Sequence, residues 1–277
     1  MTEGGRREKH QGPGPSAESA PAPPARQRPF FTTGKKLAAA FGAALLAALA
    51  GWLVTAGGSK VVNVISDQPV VGASASYDTG LLNDGWAAAT PASINPRSVP
   101  PSVQNCSPVH EWFVRHGAAD KHLSPIRLHL WGTRPGTVTI IGVRAHVLSR
   151  TPPVVGSEVA CPGAAESSAQ QVILNLDRDE PKALELHADG TAGDPYFKAH
   201  IVTLEKGEPA DFTIAAITAR NTVRWRLEVD AESGNNKETV IVPGNFTTTP
   251  SQPEGSYGQR WVWRWDLNPQ HLERAGS

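Results

Sequence analysis

The stretch that most limits how this chain can fold is LAAAFGAALLAALAGWLVTA, Leu37 to Ala56, twenty residues without a charge. As a helix rising about 1.5 Å per residue it would be roughly 30 Å long, the thickness of a bilayer's hydrocarbon core. Lys35 and Lys36 stand just before it. The positive-inside rule then puts the N-terminus in the cytoplasm and the C-terminal part outside, and Trp52 suits the aromatic belt at the far end. The expectation is an uncleaved signal anchor over residues 35–58 that fixes the chain in the plasma membrane by a single span. The alternative is secretion after cleavage near Ala56, because Val54-Thr55-Ala56 and Gly57 have the small side chains of a cleavage site. A signal peptide's apolar region, however, runs only about 7–15 residues. Ala39, Ala43, Ala47 and Gly51 recur at four-residue spacing, which would let two copies pair as a homodimer through the span. In so alanine-rich a run, chance explains the pattern equally well.

Net charge is zero over 277 residues, but it is unevenly spread. Residues 1–36 carry seven Lys/Arg against three acids. A basic arm with no aromatic interleaving and no recognition motif gives no reason to expect nucleic acid as a partner. Flanking a membrane span explains the charge better. Residues 1–34, with QGPGPSAESAPAPPARQRP, cannot bury enough apolar surface to fold, so a disordered cytoplasmic arm is predicted. The alternative is a short docking peptide for a cytoplasmic partner.

Beyond the span, residues 59–104 are read as a membrane-proximal stalk or linker with room for one or two strands, the alternative being that 57–88 supply an early strand of the outer domain's own sheet. Its second part, ATPASINPRSVPPSVQN, has prolines at 91, 96, 100 and 101, which argue against regular structure there. The outer domain is placed at 105–270, with 271–277 as a tail. One helix signature opens it: Ser107 as cap, Pro108 at the first turn, Val109, Trp112, Phe113 and His116 on one face, and Gly117 as the stop. Strand patterns follow. IRLHLW sets Ile126, Leu128 and Leu130 against Arg127, His129 and Trp131. TVTIIGVRAHVL changes phase at Ile141-Gly142, as a bulge would. QVILNLD groups Val172, Leu174 and Leu176. AHIVTLEKGEPADFTIAAITA reads as a hairpin turning at Lys206 to Pro209. NTVRWRLEVDA puts Val223, Trp225, Leu227 and Val229 on one face, and ESGNNK turns it into ETVIVPG. About eight short strands and one helix predict a mainly β fold, an antiparallel β-sandwich of the Ig-like class.

The two cysteines, Cys106 and Cys161, would lie in an oxidising compartment, where a disulfide is the default. A metal site using Cys106 and His110 lacks the CxxC doublets of structural zinc. His110, His116, His122 and His129 are dense but not spaced as a helical ligand pair, and no HExxH occurs. LDRDEPK, HADGTAGDPYF and DAESGNN bring carboxylates together without the glycine and terminal glutamate of a calcium loop, so turn chemistry explains them. GxSxG, SxxK, Walker and GxGxxG patterns are absent in any supporting context. No catalytic residue, metal or cofactor is therefore assigned.

The remaining candidate is GQRWVWRWDLNPQ. Trp261, Trp263 and Trp265 alternate and should share one strand face. That face is either a ligand platform on which sugars could stack or one wall of the core. Burying indoles worth about 150–250 Å² each favours the core, or the core with one indole at a rim. The layout, together with an Ala/Gly/Pro/Arg-rich composition, resembles single-pass proteins of high-GC bacteria. The resemblance is one of architecture and carries no site residues. The reading is a non-enzymatic binding or interaction module at the bacterial cell envelope, with an envelope protein or wall polymer as partner. The alternatives are carbohydrate binding through the tryptophan face and, third, an envelope hydrolase without a recognisable motif.

Overall fold

The computed structural model describes residues 68–83, 85–163, 172–187, 190–253 and 255–276. The span expected over 35–58 and the arm before it lie outside these residues. Among the described residues no helix is long and apolar enough to cross a membrane.

The chain runs β1 (Val71–Tyr77), α1 (Thr79–Asn83), β2 (Trp86–Thr90), a short 3-10 turn at Pro96–Ser98, α2 (Cys106–Arg115) and β3 (Ala119–Lys121). Next come β4 (Leu123–Gly132), β5 (Val138–Thr151), β6 (Ser157–Cys161), β7 (Val172–Asn175), β8 (Leu184–Leu186) and β9 (Ala192–Pro195). The last part holds α3 (Tyr196–Ala199), β10 (Val202–Leu204), β11 (Pro209–Ile217), β12 (Thr222–Ser233), β13 (Asn236–Ile241), β14 (Phe246–Thr249), β15 (Gln259–Arg264) and β16 (His271–Arg274).

The fold is mainly β, in two sheets. The smaller has the order β1-β4-β11-β7-β8-β9. The larger runs β10-β5-β12-β14-β3-β2-β6-β15-β16, with β13 paired to β12 beside β14. Alternation explains why the two share a core. Ile126, Leu128 and Leu130 of β4 are fully buried, as are Val223, Trp225, Leu227 and Val229 of β12, and all belong to one apolar cluster. At about 25 cal/mol per Å², burying Trp225 alone is worth about 4–6 kcal/mol, an upper estimate that takes an extended unfolded chain as reference.

The larger sheet extends past that core and builds a second one. There α1, α2 and the connector after β2 pack on β2, β6 and β15, burying Leu82, Trp86, Val109, Phe113, Val159 and Trp261.

The bulge expected at Ile141-Gly142 is present: β5 and β12 slip register so that Asp230 faces Gly142 and Ala231 faces Ile140. The turn after β12 also forms the expected hairpin with β13. Four expectations need correction. The sheets are not purely antiparallel, since β11 pairs with β7, β14 with β3 and β15 with β6 in parallel. The segment 201–217 is not a hairpin: β10 joins β5 in the larger sheet and β11 joins β4 in the smaller, so the Lys206–Glu208 turn carries the chain between sheets. Residues 71–90, read as stalk, supply β1 at one edge of the smaller sheet and β2 inside the larger one. Finally, residues 271–274 of the expected tail form the edge strand β16.

Candidate functional site

Helix α2 starts one residue before its expected cap. Asn105 occupies the N-cap position, and Ser107 is buried inside the first turn. The helix stops where Gly117 takes φ +96°, a conformation that costs glycine little. Its inward face is Cys106, Val109, His110 and Phe113, the i, i+3, i+4, i+7 stripe. Cys106 and Cys161 come to disulfide distance, with Cα atoms 5.7 Å apart, and tie the start of α2 to the end of β6.

The stripe also places His110 in a sealed polar chain between the two cores. His110 Nε2 lies 2.6 Å from Asp120 Oδ1. The Ser124 hydroxyl donates to Asp120 Oδ2 through a short bond. That uses its only proton, so Thr248, 2.7 Å away, must donate to Ser124. The Trp225 indole N–H in turn donates to Thr248 Oγ1 at 3.0 Å. His110 Nδ1 has no partner among the described residues, which points to a tautomer with the proton on Nε2, donating to Asp120. Tyr77 packs edge-on against the imidazole at 4.6 Å. Burial first, and the Asp120 charge second, push the Tyr77 phenol's pKa well above its usual value.

Serine, aspartate and histidine are thus neighbours, but in the wrong order for nucleophilic catalysis. The carboxylate sits between the other two, so the hydroxyl faces a weakly basic carboxylate and not the imidazole that would take its proton in a nucleophilic triad. His110, Asp120 and Ser124 are each at most 1% exposed. The arrangement locks the two cores together. Sequence reading missed it because it set His116, rather than His110, on the inward face. The i, i+3, i+4 spacing from Cys106 was the available signal.

The tryptophans divide. Trp261 and Trp263 are 5% and 2% exposed in the second core, whereas Trp265 is 47% exposed. Strand β15 ends at Arg264, so alternation no longer controls residue 265, which begins the turn to β16. The three indoles therefore do not form one open platform. The proline-rich connector lies over the buried pair as a strap, with the Arg97 guanidinium 5.2 Å above the Trp261 ring. Neither buried indole N–H has a partner among the described residues.

Between strap and hairpin runs an open groove of about 390 Å³. Pro96, Pro100 and Pro101 form one side, and Trp263, Pro269 and Leu272 the other, with Arg97, Gln270 and His271 as its polar groups. The Asn105 amide donates to Gln270 Oε1 at 3.0 Å, and Gln270 Nε2 donates to the Trp265 carbonyl at 3.3 Å, so the hairpin is fastened to the strap. Among the described residues no carboxylate lines the groove and none pairs with Arg97. At the turn end of the hairpin Arg264 bonds both Asp266 and Glu273, which raises its own pKa and lowers that of Asp266.

The other histidines stand apart. His116 stacks on Trp112 at 4.0 Å, His122 is exposed, and His129 bonds Asp211. Asp177 accepts from Thr218 Oγ1 and the Ala219 amide, as a turn carboxylate does. Among the described residues no group of three His, Cys, Asp or Glu is placed to hold a metal ion. No known family, curated protein or solved structure matches this chain.

Proposed function

We propose that this chain is a non-enzymatic, membrane-anchored module of the bacterial envelope, with an Ig-like β-sandwich as its extracytoplasmic domain. In this reading it holds an extended strand of wall polymer in the groove between the strap and the C-terminal hairpin. The observation that carries it is the groove itself. It has rigid apolar walls of proline and tryptophan and a cation with no carboxylate partner among the described residues, and the hairpin turn that supplies Pro269 and Gln270 also carries the exposed Trp265. Prolines and strapped indoles lose little conformational freedom on binding, which suits a site for a chain that must itself be ordered. Trp265 offers a flat apolar surface to a sugar face, and Arg97 offers a charge to an acidic substituent.

The test is retention of the full chain on insoluble wall polymer and its release by soluble fragments. Arg97→Ala and Trp265→Ala should each lower retention while leaving the fold intact. Equal retention of both variants and the parent would refute the groove, and turnover of the polymer would move the reading to a hydrolase. A reporter fused at the C-terminus should be active only outside the cytoplasm, and activity inside would refute the anchor.

A further inference from the structure

The outward face of the smaller sheet carries a second, independent feature. Alternation along β4 turns Arg127, His129 and Trp131 away from the core that holds Ile126, Leu128 and Leu130. Register extends this into three rows across three strands. The first is Gly72, Trp131 and Pro209; the second Ser74, His129 and Asp211; the third Ser76, Arg127 and Thr213.

The first row is built to lay an indole flat. A Cβ placed on Gly72 would fall inside the Trp131 ring system, so the ring lies across the β1 backbone, and only glycine leaves it room. Trp131 is half-buried in that seat, and with one face down on Gly72 its other face is the one a ligand can reach. The His129 ring stands beside it, 5.4 Å between centroids and tilted by 32°.

Both nitrogen-bearing side chains of the face already have carboxylate partners. Arg127 Nε and Nη2 donate to Asp78 Oδ2 at 3.1 and 3.0 Å, and Asp78 is 1% exposed. His129 Nδ1 lies 3.0 Å from Asp211 Oδ1, with the two side chains 43% and 59% exposed. What remains for a ligand is a flat aromatic surface and a field of hydroxyl, imidazole and carboxylate groups.

Size narrows the occupant further. Strands about 4.8 Å apart and rows about 6.6 Å apart make the face roughly 10 Å by 13 Å, on the order of 130 Å². That is the extent of a few linked sugar rings. A guanidinium free to pair would be needed to hold an acidic ligand, and that of Arg127 is engaged by the buried Asp78. We propose that it binds an uncharged oligosaccharide. One pyranose ring stacks on Trp131, and the hydroxyls of its neighbours exchange hydrogen bonds with Asp211, His129, Thr213 and the Ser74–Ser76 edge.

The test is calorimetric titration of the full chain, in a detergent without a sugar headgroup, with cellohexaose and separately with hexagalacturonate. Cellohexaose should bind. Trp131→Ala should weaken it by roughly tenfold or more, the scale of losing one ring-on-aromatic stack. Asp211→Ala, an exposed change that leaves folding unaffected, should weaken it several-fold. Trp265→Ala should leave it unchanged, which separates this face from the groove. No binding of cellohexaose, parental affinity in Trp131→Ala, loss in Trp265→Ala instead, or tighter binding of hexagalacturonate would each overturn the proposal.

Discussion

Two tryptophans two residues apart have opposite duties at the scale of single side chains. Trp263 is 2% exposed and Trp265 is 47% exposed, because the strand that orients the first ends before the second. Trp263→Ala would remove a packed aromatic and should cost about 3–5 kcal/mol in urea unfolding. Trp265→Ala should stay within about 0.5 kcal/mol of the parent. Equal effects in the two would mean that the burial of Trp263 contributes no stability. Tyr77 supplies a pH-dependent counterpart. Its phenol is neutral when protonated, and its pKa in the folded chain lies well above the unfolded value of about 10. Below that value both states hold the proton. Above it the unfolded chain releases a proton that the folded chain retains, so stability falls as pH rises toward the folded pKa. The urea midpoint should therefore drop between pH 9 and 11 (a window set by that value of about 10), and it should drop less in Tyr77→Phe. Parallel slopes would assign the alkaline loss to other groups.

At the scale of elements, α2 and β6 are far apart in sequence and are held together by the Cys106–Cys161 pair. The separation of 55 residues sets what the link is worth. On the chain-entropy account a loop of that size stabilises the fold by roughly 4 kcal/mol. Replacing both cysteines by serine should lower stability by about that amount, and adding reductant to the double variant should then change nothing further. Elements also mark where sequence was readable. Strand β12 was legible because one face is Val223, Trp225, Leu227 and Val229 and the other is charged, and the bulge at Ile141-Gly142 because its pattern visibly changes phase. Strand β2 was not, since WAAAT offers small side chains that fit either face and shows no period. The β10–β11 turn looked like a hairpin because local turn chemistry says nothing about which sheet each arm joins. The platform around Trp131 was half legible: Arg127, His129 and Trp131 fall on the strand face opposite Ile126, Leu128 and Leu130, but the seat at Gly72 comes from cross-strand register, which one strand's sequence does not contain.

At the scale of the whole molecule, the larger sheet is the spine on which both cores rest. Its order places β2 between β3 and β6, with β6 leading on to β15 and β16. Removing β2 would cut the sheet in two. One part would keep the core around Trp225, and the other would lose the backbone partners that hold Val159, Trp261 and Trp263 under α2. The loss of β1 would also expose one edge of β4 and leave Trp131 without its seat. A chain beginning at residue 105 therefore lacks an edge strand of the smaller sheet and an internal strand of the larger one. It should fail to give the cooperative urea transition of a chain beginning at residue 68, and its tryptophan fluorescence should report solvent-exposed indoles before any denaturant is added. A cooperative transition of undiminished midpoint in the shorter chain would show that the second core closes without β2. The sheet order would then have to be redrawn, with β6 paired to β3 directly. Because the proposed groove and the proposed sugar face depend on different parts of what is removed, the shorter chain should lose both activities together, whereas the point variants separate them.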